Sequence, residues 1–596
     1  MQHVPDDGPR DAKLVIIGEA PGAREIEAGK PFVGPSGQRL AEWMGAVGLR
    51  RADALITNVI PHRIASADKL AYADAEPHIM ALHERLAALY DPVVLVPMGN
   101  LALYALTGKG KVAWHARDGR STRPGITSWR GSVLEYEGIN GRRTKVIPTI
   151  HPAATFARGE GKDEGDVGMR RRSAQYHRAC VADWRRIAGD LAFRELRLPE
   201  RRLEICTSLD VLFEYVTETL ALNEPIAFDI ETPRVRKREQ VGVYKSGKKK
   251  GQPKIKTSYE FADIACIAFA SSPDYGMTVP LTAEWWGGEA GRAEAVVQVR
   301  RLLTGDEGFG APAKIAQNGG FDCYWLAHRL GIRVANWRYD TRAMHHALDP
   351  CALHDLAYLA SIYTREPYWK DECKDPDELM RFVTSDEALY SYCARDAAVT
   401  FEVWQALCAA LEAGGRLPFY ERSYGRLHEP LMRLSLHGIA VDTTRQASER
   451  ERVAAEAAEA AATLRGISAS LVGKGGGVST KALGAYLYGE LRLPKQHEGR
   501  GAGRRLSTGE VALKRLAAHS GAAKAVCEAV LRLRGLAKQA ERFDAKCVGP
   551  DGRWRSLFSP YTDTGRLTSQ EPPVGAGGPV QNVPRGSLRS MFVPDA

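Results

Sequence analysis

Four carboxylates drawn from three separated stretches constrain this chain most. Asp229 and Glu231 close the run Pro225-Ile226-Ala227-Phe228-Asp229-Ile230-Glu231. Asp322 ends Asn318-Gly319-Gly320-Phe321-Asp322, and Asp396 ends Tyr392-Cys393-Ala394-Arg395-Asp396. The apolar run predicts a strand, and strand side chains repeat with period two, so Asp229 and Glu231 face the same side. Asn318 and Asp322 are four apart, as are Tyr392 and Asp396, and on a helix each such pair shares a face. Four carboxylates in one pocket repel each other and shift toward neutrality unless cations sit between them. Hard oxygen ligands suit Mg²⁺ or Mn²⁺. Two such ions about 4 Å apart generate hydroxide and stabilise a leaving oxygen. Tyr392 is positioned to orient the attacking water.

These three motifs, in this order, resemble the proofreading 3′–5′ exonuclease domain of family A DNA polymerases, the subgroup with Tyr in the third motif. The resemblance covers about residues 199–412 and implies an RNase H-like mixed sheet. It makes Asp229, Glu231, Asp322 and Asp396 the metal ligands, Tyr392 the residue that positions water, and Asn318 a substrate contact. The cofactor it implies is a pair of Mg²⁺ or Mn²⁺ ions, and the partner is a single-stranded DNA 3′ end.

Length and composition agree. At 596 residues with 44% apolar content the chain is long enough for several cores. A formal charge of +10 fits a polyanionic partner. No run of about 18 apolar residues is present, which predicts no membrane span, and the start Met1-Gln2-His3-Val4-Pro5 has no signal-peptide character. The ten cysteines lie from Cys180 onward without paired metal spacing, as expected of free thiols in a reducing cytoplasm, that of a bacterial cell or an infected host.

Residues 1–198 alternate strand and helix signals. Leu14-Val15-Ile16-Ile17 runs into the turn Gly18-Glu19-Ala20-Pro21-Gly22, followed by Gly29-Lys30-Pro31-Phe32-Val33-Gly34. Further strands are expected at 54–57, ending at Asn58, at 93–96, and at 145–149, leading to His151-Pro152-Ala153. Ligand groups collected at strand carboxyl ends are the rule for open α/β sheets. The four motifs resemble the uracil-DNA glycosylase superfamily, nearest its thermophile-type iron–sulfur branch. The resemblance gives Phe32 as the ring that stacks on a flipped uracil, Asn58 as the reader of its amide edge, His151 as the group stabilising the departing anion, and Glu19 as the residue orienting water or sugar. A base must leave the stack before its glycosidic bond can be reached. Residues 1–179 contain no cysteine, so no iron–sulfur cluster is expected. Ala20 stands where other branches place a catalytic Asp.

A helix around Tyr176–Ile187 is expected to close this first domain, with 198–202 as linker. After the first acidic motif, Arg234 to Lys256 is strongly basic and reads as a hairpin with its tip at 245–254, either solvated or in contact with phosphate. From about Pro418 the pattern turns helical: 428–439 with a Gly438 cap, an Ala/Glu-rich arm at 445–464, and loops at 474–477 and 497–504. Tyr561-Thr562-Asp563-Thr564-Gly565-Arg566 and Val580-Gln581-Asn582-Val583-Pro584-Arg585 resemble the thumb-to-palm segment of family A polymerases. That resemblance makes Arg566, Gln581 and Asn582 primer–template contacts. In the family the catalytic palm acids follow this segment. The expectation is therefore an α/β chain of three domains: 1–198 glycosylase-like, 199–412 exonuclease, and 413–596 a mainly helical thumb with the start of the palm. Nucleotide addition is expected to need a further palm and fingers part, supplied for instance by a second polymerase chain. Such fusions look phage-like. The competing readings are a base-excision uracil-DNA glycosylase with DNA-clamping domains, and a non-catalytic DNA-binding scaffold.

Overall fold

The computed structural model describes residues 2–67, 70–115, 123–156, 167–243, 252–371, 386–473, 475–498, 505–542, 544–562, 564–583 and 587–595. The chain forms two compact units, one of residues 1–429 with 560–566 and one of 430–559 with 567–596.

The first unit begins with a five-stranded sheet in the order Ala54–Asn58, Leu14–Gly18, Val94–Pro97, Arg143–Val146, Leu134–Glu137; only the last pair is antiparallel. A parallel sheet is covered on both faces, and the alternation of its side chains shows it. Val15, Ile17, Leu55 and Leu95 pack on one side with Ala75, Ile79 and Leu82 of the helix Tyr72–Ala87. Leu14, Ile16, Ile56, Val94 and Val96 pack on the other with Leu40, Trp43 and Met44 and with Cys180, Trp184 and Ile187. The expected closing helix spans Val167–Asp190.

The second sheet of this unit is mixed, in the order Trp337–Asp340, Lys314–Ala316, Ile226–Glu231, Cys266–Ser272, Tyr275–Pro280, Arg202–Ile205. Ile226–Glu231 lies near its centre, parallel to Lys314–Ala316 and antiparallel to Cys266–Ser272, with Asp229 opposite Ala268 and Glu231 opposite Cys266. The long helix Asp386–Ala413 lies across it, seating Leu389, Cys393, Ala397 and Phe401 on Ala227, Ala268, Ala270 and Ile315. Gly276 lets that helix approach, because a Cβ there would stand 2.4 Å from the Ala394 carbonyl oxygen. The basic stretch forms the antiparallel pair Arg234–Val243 and Pro253–Phe261; residues 244–251, most of its expected tip, lie outside the described residues.

Buried polar groups join the two sheets into one body. The Arg130 guanidinium pairs with Asp183 (Nε–Oδ2 3.0 Å), with side chains 3% and 0% exposed, and donates to Ser361 Oγ at 2.7 Å. Arg186 donates to the carbonyls of Gly131 and Ile362, and Arg365 forks onto Asp190 at 2.8 and 3.0 Å.

In the second unit the helices Thr443–Ile467 and Gly521–Arg542 enclose a core of Val453, Leu464, Leu483, Leu487, Val526, Val530 and Trp554. Two expectations are corrected here and in the first unit. His497–Glu498, read as loop, is a short strand paired with Arg505–Leu506; 499–504, Lys474, Asp563 and Pro584–Arg585 lie outside the described residues. Asn318 is not on the helix of Asp322. That helix starts at Gly320, and Asn318 precedes it with φ 59°. Two glycines weaken helix initiation there, and the Asp340 carboxylate captures the amides of Asn318 and Gly319 at 3.2 and 2.9 Å.

Removing one partner of a buried ion pair leaves an unpaired charge, which costs about 3–5 kcal/mol. Arg130→Met should lower the unfolding free energy, read from a denaturant titration, by that order. Arg130→Met with Asp183→Leu should recover most of it. Equal loss in both variants would mean that the charge is not what matters.

Candidate active sites

The first strand ends at Gly18, and three expected residues gather around it. A Cβ on Gly18 would stand 2.3 Å from Asn58 Oδ1 and 2.7 Å from the Phe32 ring, so glycine is required there. The Phe32 and His151 rings lie 5.7 Å apart at 38°. Phe32 sits in the left-handed region at φ 51°, a conformation costing roughly 1–2 kcal/mol for an L-residue. Arg51 holds that turn: it donates to the Pro31 and Phe32 carbonyls at 2.6 and 2.9 Å and pairs with Asp7. Asn58 is buried, and its carbonyl accepts from Arg85 at 2.9 Å. Glu19 accepts the Leu101 amide at 3.0 Å, which turns its carboxylate toward the start of the helix Asn100–Thr107. Glu25, which no sequence signal singled out, ties the two glycine turns together through the Gly34 amide at 2.8 Å.

His151 has a defined chemical form. Burial, opposed by Glu25, pulls its imidazole down to about 4, so it is neutral at neutral pH. Nδ1 accepts the Ala153 amide at 3.2 Å. The ring proton of the neutral form is therefore on Nε2, a donor.

The acidic site forms in the second sheet. Ligand oxygens of Asp229, Glu231 and Asp396 lie within 4.8 Å of one another. Asp229 and Glu231 come from one strand face, as period two requires, and Asp396 from the long helix. Asp322 Oδ1 accepts the Ile230 amide at 3.2 Å, which fixes it beside the same strand. Burial first, then the charges of Asp396, Asp322 and Glu231, push Asp229 well above the ordinary carboxylate range. Burial raises Asp322 to about 7, against the Ile230 amide. Three hard-oxygen ligands under mutual repulsion fit a divalent cation.

Tyr392 lies one turn before Asp396 on the same helix, buried. A cavity of about 550 Å³ opens beside these acids, lined among others by Asp229, Asp396, Asn318, Arg342, Lys370 and Tyr561. Arg342 donates to Asn318 Oδ1 at 2.7 Å and lies over the Tyr561 ring at 4.6 Å. Of the expected thumb contacts, Arg566 is exposed beyond Tyr561, and Gln581 and Asn582 are exposed in the turn Val580–Asn582. Sequence reasoning missed Asp340, Trp369 and Lys370. Trp369 Nε1 donates to Asp396 Oδ1 at 2.6 Å, and Lys370 Nζ bonds Asp396 Oδ2. Burial alone lowers Lys370, but Asp396, Asp229 and Glu231 outweigh it and hold its ammonium above the ordinary lysine value.

The family comparisons follow this division. The Uracil DNA glycosylase superfamily profile matches residues 5–171, and the 3′-5′ exonuclease profile of family A DNA polymerases matches 295–412. The type-4 uracil-DNA glycosylase of Archaeoglobus fulgidus is 34% identical over 162 residues, 27% of this chain and 76% of that protein. The chain belongs to the uracil-DNA glycosylase superfamily. Its superfamily domain is likewise 33% identical to the Thermotoga maritima type-4 uracil-DNA glycosylase over 149 residues, 25% of this chain and 68% of that enzyme. The glycosylase domain is fused to a family A polymerase exonuclease domain, the composition of a DNA replication or repair protein. DNA polymerase I of Rhizobium leguminosarum is 34% identical over 187 residues, 30% of this chain, and the chain spans only 18% of that polymerase. A solved structure, the POL domain of Pol1 from M. smegmatis in complex with DNA primer-template and dNTP, aligns with TM-score 0.43 and 20% identity, covering 65% of this chain and 58% of that one. The exonuclease match contains Asp322, Tyr392 and Asp396; Asp229 and Glu231 lie before it and join the site through the sheet. Among the described residues no helix is long and apolar enough to cross a membrane.

In a pH titration followed by ring NMR, His151 should change charge near 4, not near 6.5. The unfolded chain binds this proton around 6.5 and the folded chain only around 4, so this residue removes stability as pH falls through that window. A midpoint near 6.5 would mean that the pocket tolerates imidazolium.

Proposed function

We propose that the exonuclease domain removes nucleotides from DNA 3′ ends, with two Mg²⁺ or Mn²⁺ ions held by Asp229, Glu231, Asp322 and Asp396. The observation that carries this is the convergence of three carboxylates within 4.8 Å beside a cavity large enough for a terminal nucleotide. Bound divalent cations supply a hydroxide at neutral pH and charge stabilisation at the leaving oxygen. Water oxygen bonds to phosphorus, the P–O3′ bond breaks with its electron pair going to O3′, and O3′ takes a proton. The products are a nucleoside 5′-monophosphate and a strand one nucleotide shorter. Tyr392 orients the water. Asn318, held by Arg342, contacts the terminal nucleotide. Arg566, Gln581 and Asn582 contact the primer–template.

A second activity is favoured by the geometry around Gly18. Phe32 stacks on an extruded uracil, Asn58 reads its amide edge, the neutral His151 donates from Nε2 to the oxygen that gains charge as the glycosidic bond breaks, and Glu19 orients the water. No iron–sulfur cluster takes part in this reading.

The 596-residue chain should degrade 5′-labelled single-stranded DNA from its 3′ end with Mg²⁺ and stop on chelation. Asp229→Ala with Glu231→Ala should slow this roughly a thousandfold, the order of several kcal/mol of cation-borne stabilisation, without shifting thermal unfolding downward. Undiminished degradation by that variant would sink the assignment.

For the glycosylase domain the readout is free uracil from a uracil-containing oligonucleotide. Asn58→Ala or His151→Ala should abolish release, and Phe32→Ala should weaken binding by about 1–3 kcal/mol, one base stack. Absence of release at high enzyme concentration, with binding retained, would reduce this domain to a uracil sensor.

A further inference from the structure

Lys370 stands where the expected reaction chemistry offers no role for it. Its Nζ bonds Asp396 Oδ2, and the neighbouring Trp369 donates to the other oxygen of that carboxylate at 2.6 Å. Two consecutive residues thus grip one acid. Trp369 is 1% exposed and explains the grip structurally. Lys370 is different. Its side chain keeps 18% of its surface exposed, it lines the cavity with Asp229 and Asp396, and its ammonium lies 4.8 Å above the ring of Tyr392. A lysine ammonium is a compact charge with three donors; one is used on Asp396.

The residues just before it are held by the glycosylase domain. The Tyr368 amide donates to Ser132 Oγ at 3.0 Å, and the Tyr368 ring meets Trp129 edge-on at 5.1 Å. Lys370 is therefore presented to the cavity by the packing of the glycosylase domain against the exonuclease domain. A counter-ion needed only to neutralise Asp396 has no reason to face open space beside the residue that orients water.

We propose that Lys370 is a further catalytic residue of the exonuclease, its ammonium donating to a non-bridging oxygen of the phosphate being cut. This rests on the exonuclease reading given above. Lys370 transfers no proton. It stabilises the charge gathering on the phosphate oxygens while the water oxygen bonds to phosphorus and O3′ departs. Because it also bonds Asp396, it competes with divalent cations for that ligand, and its removal has opposite effects on rate and on metal affinity.

The test uses the whole 596-residue chain. Single-turnover degradation of a 5′-labelled oligonucleotide and binding of Mn²⁺ without DNA, followed by electron paramagnetic resonance, are measured for the native protein, Lys370→Met, Lys370→Arg and Trp369→Phe. Lys370→Met should cut at least about 100-fold more slowly, the usual loss on removing one such donor, while binding Mn²⁺ as tightly as the native protein or more so. Lys370→Arg should regain part of the rate, and Trp369→Phe should lose much less than Lys370→Met. A rate for Lys370→Met within about threefold of native, or Mn²⁺ affinity falling together with rate, overturns the proposal; the latter makes Lys370 an organiser of the acids only. If Lys370→Met does not fold, Lys370→Gln carries the same comparison. If the native protein itself leaves the oligonucleotide intact, it is the exonuclease reading that fails, and this inference falls with it.

Discussion

The exonuclease half of the first unit is organised around a repulsion. Asp229 is pushed far above its ordinary range because Asp396, Asp322 and Glu231 crowd it in a buried place. Isolated charges there would cost far more than the net stability of a domain leaves available. The chain meets this cost with rigid supports: a central strand fixing two acids on one face, the Ile230 amide holding Asp322, and Trp369 with Lys370 holding Asp396. Each support orients a carboxylate toward its neighbours instead of letting it swing into solvent. A divalent cation lowers the energy of that arrangement, so cation binding and the geometry of the site are coupled.

The same logic explains the joint between the glycosylase and exonuclease domains. The helix Val167–Asp190 covers one face of the first sheet with Trp184 and Ile187. Beside that face Asp183 and Asp190 engage Arg130 and Arg365, and Arg186 reaches the carbonyls of Gly131 and Ile362. A hydrophobic seam would permit sliding. Guanidinium groups, each needing several acceptors in fixed directions, permit one register. The stretch from Ser361 to Lys370 is thereby pinned along the glycosylase domain before it reaches Asp396.

How much of this was legible in the sequence depended on whether the information was periodic. Asp229 and Glu231 could be placed because a strand repeats every two residues, and Tyr392 with Asp396 because a helix repeats nearly every four. The unbroken apolar run Leu14–Ile17 read as a buried strand, and its residues do pack on both faces of the sheet. Asn318 failed for the same reason: its spacing to Asp322 suggested a shared helix face, but Asp340, 22 residues away, captured its amide first. Phe32 was read as a stacking ring, yet its left-handed backbone could not be, since the Arg51 that holds it is 19 residues on. Lys370 lies 26 residues before Asp396, a distance with no periodic meaning. Contacts made by chain return are invisible to local pattern.

The two sites place opposite demands on the same fold. In the excision proposed for the glycosylase domain the donor is a neutral ring: burial withholds the proton from His151, and the Ala153 amide takes Nδ1, leaving Nε2–H free to donate. At the acidic site charge is required, and the protein keeps its own ammonium beside the carboxylates. Burial lowers both histidine and lysine. Their neighbourhoods differ. His151 has one partly offsetting acid, Glu25, whereas Lys370 faces three, Asp396, Asp229 and Glu231. An imidazole starts just below neutral pH and a lysine ammonium well above it, and the acids around Lys370 keep burial from closing that gap.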